Sequence, residues 1–443
     1  MKIGFGRNDI TPRVGVELSG FGAFITRHSV AIRDRLWARA MAVEQGDRRA
    51  ILVSCDLIGI QRSITRRIRE LVTAATGVPA EAVMVHCTHT HSGPNTGGFI
   101  GWGAADEPYI EVLPQRVAQA CREAMRNLRE ATLSHAEVPC EGIGQNREYD
   151  RDALPLAEVL DDHWRPQKPE LTDTTTHVLK AEAAGRTIGF LSYFGCHPVV
   201  CCASSRYVHG DYCGVATNLL EREYPGSVGL FLQGAQGDVN TCVVHKDEQE
   251  SLLALDVIAG RYARAVRRGL AEGHPLKADR LGWAWREIAF QRRNDGIEKL
   301  RQRLADQEKI TLAPGASDAE GTVRMATVCA IALRRLIEMH GRGQSLAPAS
   351  EIQGLRLGPV LLLGGPFETF QAIKNDVRAR TGNPLTLVMS FTNDYLGYAP
   401  DHTAAARGGY AADTVPLIIG ALPFAGIHDE LVEALVSLAA ELR

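Results

Sequence analysis

The chain has 443 residues, 45% of them hydrophobic and 23% charged, and a formal net charge of −3. This is ordinary globular composition, long enough for one large or two medium domains with a buried core. Near-balanced charge gives no electrostatic case for a nucleic-acid partner or an anionic membrane surface.

The opening stretch, MKIGFGRNDI, reads as a short strand, without an apolar run of signal-peptide length. Residues 36–44 and 50–56 follow as apolar strands. Residues 61–76 carry apolar positions at helical spacing and are stopped by Gly77 and Pro79. Residues 82–87 form another buried strand, and 108–130 a long helix in which Pro114 predicts an early kink or restart. Strand patterns return at 175–182, 187–194 and 228–234, with a helix near 213–223. Long helices are predicted at 248–272 and 320–342, with an exposed loop at 307–322. Two more buried strands, 358–365 and 384–391, precede an amphipathic closing helix. The order predicts an α/β fold, a mixed β-sheet core covered by helices, as a single domain over 1–443. No window approaches the length and apolarity of a membrane helix, which predicts no stable membrane association.

Ten cysteines make no C-x-x-C pair. They read as reduced, mostly buried thiols of a cytoplasmic protein. A cysteine-rich metal site is the alternative, its best basis being Cys201 and Cys202 near His197.

Five predicted strands end in a Gly/Pro turn that carries a reactive side chain. In HCTHTHSGPNTGGF, residues 86–99, strand alternation would put His89 and His91 on one face at the strand's end. Turn histidines capping backbone groups would look the same. FGCHPVV places His197 at a strand end, and GGPFETF places Glu368 at the expected start of a helix, where it could complement the helix terminus or project from the sheet edge. LQGAQGDVNT bears Asp238 and Asn240, which a simple Asx turn would also explain. FTNDYLGYAPDHTAAARGGY bears Tyr395, Tyr398 and Tyr410. Together these suggest one rim of strand ends converging on one site. Its donor types suit zinc. H-E-x-x-H, G-x-S-x-G and P-loop motifs are absent.

In this order the segments resemble the neutral/alkaline ceramidase family, in its N-terminal catalytic domain. The family's T-H-T-H-S-G-P stands unchanged as Thr88–Pro94, its G-R-x-D-I-T as Gly6–Thr11, its N-R as Asn146–Arg147 and its G-D-V as Gly237–Val239. The tyrosine spacing matches at Tyr395, Tyr398 and Tyr410. The resemblance implies one zinc (Zn2+) per chain, held by His89, His197, Glu368 and Tyr398. It implies His91 as the proton-transferring histidine beside the metal, and Arg147 and Tyr410 as residues that position the scissile amide and stabilise charge on it. Zinc would lower the pKa of bound water to about 7.

Two departures bear on the substrate. The family's G-D-V-S-P-N reads G-D-V-N-T-C here, so Asn240 replaces a serine and Thr241 a proline. Asparagine cannot be an acylated nucleophile, but it can donate a hydrogen bond. The resemblance also implies a C-terminal β-sandwich domain and export, neither of which this sequence shows. The reading is a zinc-dependent amidohydrolase of a small soluble substrate, an amide or an ester. The alternatives are a genuine ceramidase and a metal-holding protein without hydrolytic activity.

Overall fold

The computed structural model describes residues 1–443. In chain order the main elements are β1 (Lys2–Asp9), β2 (Trp37–Gln45), β3 (Arg48–Cys55), α1 (Arg62–Thr76), β4 (Val83–Cys87), α2 (Glu107–Arg126), β5 (Thr132–Pro139), β6 (Gly144–Asn146), β7 (Thr175–Ala183) and β8 (Arg186–Phe194). Then come α3 (Asp211–Glu223), β9 (Val228–Gln233), β10 (Val239–Thr241), α4 (Glu248–Glu272), β11 (Leu281–Ile288), α5 (Ile297–Thr311), α6 (Gly321–Gly341), β12 (Ser350–Leu357) and β13 (Val360–Gly364). The chain closes with β14 (Glu368–Thr369), α7 (Gln371–Thr381), β15 (Thr386–Met389), β16 (Tyr398–Ala399), α8 (His402–Arg407) and α9 (Ile427–Glu441).

Three mixed sheets carry the fold, in the orders β4-β3-β2-β1, β9-β8-β7-β5 and β15-β13-β12-β11, the first two extended by a short edge strand. Each ends in one parallel pair joined by a helical crossover: β3–α1–β4, β8–α3–β9 and β13–α7–β15. Parallel strands require such a crossover, and the loops after their C-terminal ends are where open α/β sheets gather ligands. The same unit therefore occurs three times, and all three units turn those loops toward one place. The cores between sheets and helices are apolar, the largest being a cluster of 50 buried residues around the first sheet.

Most elements fall where the sequence places them; α1, for instance, ends at Gly77, left-handed at φ 72°. Four expectations are corrected. Pro114 does not restart α2, which is one helix from Glu107 to Arg126 with Leu113 and Pro114 buried. The expected loop at 307–322 begins only after Thr311, because α5 continues through QEKIT, a run rich in helix formers. Strand β4 ends at Cys87, and His89 has a left-handed φ of 69°, so strand alternation does not bring His89 and His91 together. Glu368 does not open a helix: it lies in β14, paired in parallel with Tyr398 of β16, and the helix starts at Gln371. No helix is long and apolar enough to cross a membrane. All ten cysteines are free and nine are buried.

Candidate metal centre and active site

The three histidines of the HCTHTH stretch have three different environments. His86 is structural: its Nδ1 donates to the Ser390 carbonyl at 3.0 Å and its Nε2 accepts from the Gln233 N–H at 2.8 Å. His89 donates Nδ1–H to the Ile58 carbonyl at 2.6 Å, and its ring stacks on Phe391 at 3.9 Å between centroids. That bond fixes the tautomer and leaves the Nε2 lone pair free. His91 Nε2 stands 3.0 Å from His89 Nε2, while its buried Nδ1 has no partner.

His197, after β8, repeats the His89 arrangement. Its Nδ1 meets the carbonyls of Gln236 at 2.7 Å and Val239 at 3.1 Å, so Nε2 again presents a lone pair. Glu368 lies between the two free nitrogens, with Oε2 2.8 Å from His197 Nε2 and 3.7 Å from His89 Nε2. The Tyr395 hydroxyl donates to its other oxygen, Oε1, at 2.5 Å. Burial favours neutral His89, whose pKa falls to about 3. Burial would raise the Glu368 carboxyl, and the hydrogen bond donated by Tyr395 acts against that rise.

This donor set fits a zinc ion. Two imidazoles with Nδ1 committed to backbone carbonyls turn Nε2 toward one carboxylate inside a buried cluster. The ligand atoms of His89, His91 and His197 also lie within 4.8 Å of one another. Tyr398 borders the same space. Burial, against the pull of Arg147, keeps its hydroxyl a phenol well above its usual pKa.

A cavity of about 290 Å³ opens onto these groups. Its polar wall includes His91, Arg147, His197, Asn240 and His245, and its apolar wall Phe21, Val199 and Val244, with Tyr398 and Tyr410 completing the rim. Arg147 donates to the Tyr398 hydroxyl at 2.9 Å, and its guanidinium carbon lies 5.7 Å from the Tyr410 ring centre. Tyr410 starts a π-helical turn, is half exposed, and forms the outer edge.

The backbone that places these groups is specific. Asp238 accepts from Gln371 N at 2.9 Å and Asn146 Nδ2 at 3.1 Å, and its carbonyl takes the Arg147 N–H at 2.8 Å. Asn240 is not in a turn. It lies in β10, opposite Gln145 of β6, and faces the cavity from there. Gly237 is required by close approach: a Cβ there would fall 2.5 Å from the Glu368 carbonyl oxygen. Gly20, at φ 105°, likewise lies against His91, where a Cβ would meet Nδ1 at 2.4 Å. Arg27 is buried without a carboxylate partner. It donates to the carbonyls of Ser19, His91 and Ser205, and lies over Phe21, 4.9 Å from its ring centre.

All eight residues singled out from the sequence, His89, His91, Arg147, His197, Asn240, Glu368, Tyr398 and Tyr410, thus surround one centre. Sequence reasoning missed the direct bond from Tyr395 to Glu368, although the Tyr395–Tyr398 spacing was its signal. The cysteine-rich alternative assembles differently from expectation. Cys201 groups with His209 and Asp211, not with His197. There His209 Nδ1 accepts the Asp211 N–H at 3.1 Å, so in the neutral ring Nε2 carries the proton, and burial keeps the Cys201 thiol protonated.

Comparison with known proteins gives the family. Residues 1–250 match the model of the family described as neutral/alkaline non-lysosomal ceramidase, N-terminal. The neutral ceramidase of Pseudomonas aeruginosa is 24% identical over 254 residues, 54% of this chain and 37% of that protein, so the match spans little more than a third of the relative's length. A crystal structure of the P. aeruginosa enzyme shares the fold with a TM-score of 0.75 at 19% identity. It covers 100% of this chain and 75% of its own. A structure described as ceramidase complexed with C2 does so with a TM-score of 0.76 at 18% identity and the same coverage. With more than half of its length matched, this chain belongs to the neutral/alkaline non-lysosomal ceramidase family.

Proposed function

We propose that the chain is a zinc-dependent amidohydrolase that cleaves the amide of an N-acylated, ceramide-type substrate. The observation that carries this reading is the pairing of His89 and His197. Each has its Nδ1–H tied to a backbone carbonyl and its Nε2 turned toward Glu368, beside a cavity edged by Arg147 and Tyr410. Family membership and the P. aeruginosa relative favour a ceramide over the soluble amide expected from the sequence.

His89, His197 and Glu368 would hold the zinc, with Tyr398 as the fourth donor. When bound, zinc supplies Lewis acidity that brings the pKa of water toward 7. His91 has an uncommitted Nδ1 and a second nitrogen at the centre, which suits it to take a proton from water and return it to the leaving amine. Arg147 and Tyr410 can donate to the oxygen on which negative charge develops, and Asn240 offers a third donor from the facing strand. Nothing in this scheme needs a covalent acyl intermediate, so asparagine in place of serine is compatible with turnover. The free, mostly buried thiols support a reducing, cytoplasmic setting.

A second reading, a short soluble N-acyl amide, is favoured by one observation. The cavity's volume of about 290 Å³ suits an amide with short substituents, at the lower end for ligand sites. Zinc-loaded protein incubated with ceramides of graded acyl length and with short N-acyl amines separates the two. Fatty acid and sphingoid base released fastest from ceramides supports the first reading. Release confined to the short amides replaces it with the second. Release from none overturns amidohydrolase activity altogether.

A further inference from the structure

Residues of α7, α8 and α9 meet at a second cluster of donors. His402 begins α8, His428 and Asp429 lie in the first turn of α9, and Asp376 projects from α7. The His402 and His428 rings stack with centroids 4.1 Å apart and planes 19° from parallel. His402 Nε2 is 3.1 Å from Asp429 Oδ1, and His428 Nε2 is 2.8 Å from Asp376 Oδ2. His428 is the buried member, its side chain 6% exposed, and its Nδ1 has no hydrogen-bond partner at all.

A buried imidazole nitrogen left unpaired costs free energy unless something outside the protein satisfies it. The Asp376 carboxylate takes the Nε2–H, so the orphaned Nδ1 carries the lone pair. This carboxylate–imidazole pairing is the usual support of a metal-ligating histidine. One potential ligand atom each from His402, His428 and Asp429 falls within a 4.8 Å cluster. Two imidazoles and a carboxylate select a borderline transition metal over calcium or magnesium.

We propose that His402, His428 and Asp429 form a second, surface zinc-type site, with Asp376 orienting His428. Three protein ligands leave a position for water. Stacked rings cannot aim both lone pairs at one ion, so His402, which is 64% exposed and held only by Asp429, tilts out of the stack on binding while His428 stays in place. The starts of α8 and α9 oppose a cation weakly, which two carboxylates outweigh. Because His402 lies between Tyr398 and Tyr410, the ion would clamp that segment to α9.

Zinc titration of the full chain, followed with a chromophoric chelator, tests the site. Two ions per chain are expected, the weaker one lost in His402→Gln and in Asp429→Asn but kept in His197→Ala. Both substituted side chains are well exposed, so the fold is not at stake. Asp376→Asn should weaken the second ion by roughly 10- to 100-fold. A single ion in the wild type, or a second ion bound equally well by His402→Gln and Asp429→Asn, would overturn the proposal.

Discussion

The Nε2 atoms of His89 and His91 stand 3.0 Å apart, but only His89 has its other ring nitrogen tied to the backbone. Ligands are usually oriented through the second nitrogen, and proton carriers need a nitrogen free to change state. His91→Ala should therefore keep the active-site zinc and lose most turnover. Elemental analysis beside a rate assay decides this. Zinc loss matching that of His89→Ala would make His91 a ligand.

His89→Ala and His197→Ala should each lose most of the active-site ion. Each removes an imidazole whose Nε2 faces Glu368 and leaves that buried carboxylate short of partners. Zinc content after dialysis against a weak chelator is the measurement. Full retention in both variants would be incompatible with the site.

Asn240→Ala should slow turnover on the order of 10²–10³, the cost of one lost donor to a developing oxyanion. Asn240→Ser, which restores the family's residue, should not be needed for activity. A wild-type chain that is inert on every amide and becomes active only as Asn240→Ser would show that a hydroxyl is indispensable.

Gly237→Ala should destabilise the fold by about 1–3 kcal/mol through overpacking. A Cβ there would sit 2.5 Å from the Glu368 carbonyl oxygen and 2.6 Å from Phe370 Cδ1, so Glu368 must move. Zinc affinity should fall along with the denaturation midpoint. A variant of normal stability and normal zinc affinity would contradict the packing described.

Asp211 provides a pH test away from the centre. Burial pushes its carboxyl up to about 6, against backbone N–H donors from Tyr212, Cys201 and Val200 and the nearby Arg33. The folded pKa exceeds the unfolded value of about 3.9. The favourable contribution is therefore full below about pH 4 and is lost as pH rises through 6. Relative to Asp211→Asn, the wild type should lose up to about 3 kcal/mol between pH 4 and 7. Urea midpoints that run parallel in the two proteins across this range would refute the assignment.

The strand-end turns made the centre legible, because Gly, Pro and a single reactive side chain announce themselves locally. The reason offered for His89 and His91 was nevertheless wrong: a left-handed His89 beyond the end of β4, not alternation, sets their geometry. The carbonyls of Ile58, Gln236 and Val239, which choose the tautomers, have no side-chain signature and could not be read in advance. Strands β5, β11 and β12 escaped notice because polar residues interrupt their apolar patterns, as in LGWAWREI. Tyr395 was seen as one of three tyrosines, but only the parallel pairing of Glu368 with Tyr398 brings its hydroxyl onto the carboxylate.

The proposed zinc donors are drawn from the ends of all three crossover units, from His89 to Tyr398. A nascent chain that has emerged through residue 250 holds two histidines of the set and neither Glu368 nor Tyr398. It can bind the ion only weakly, and strong capture waits for contacts across some three hundred residues, the slowest kind to form. Zinc binding at the proposed centre would then act as a late checkpoint in biogenesis, because binding energy that appears only when the centre closes is folding energy. A chain that matures without metal would lack that closing contribution until the ion arrives.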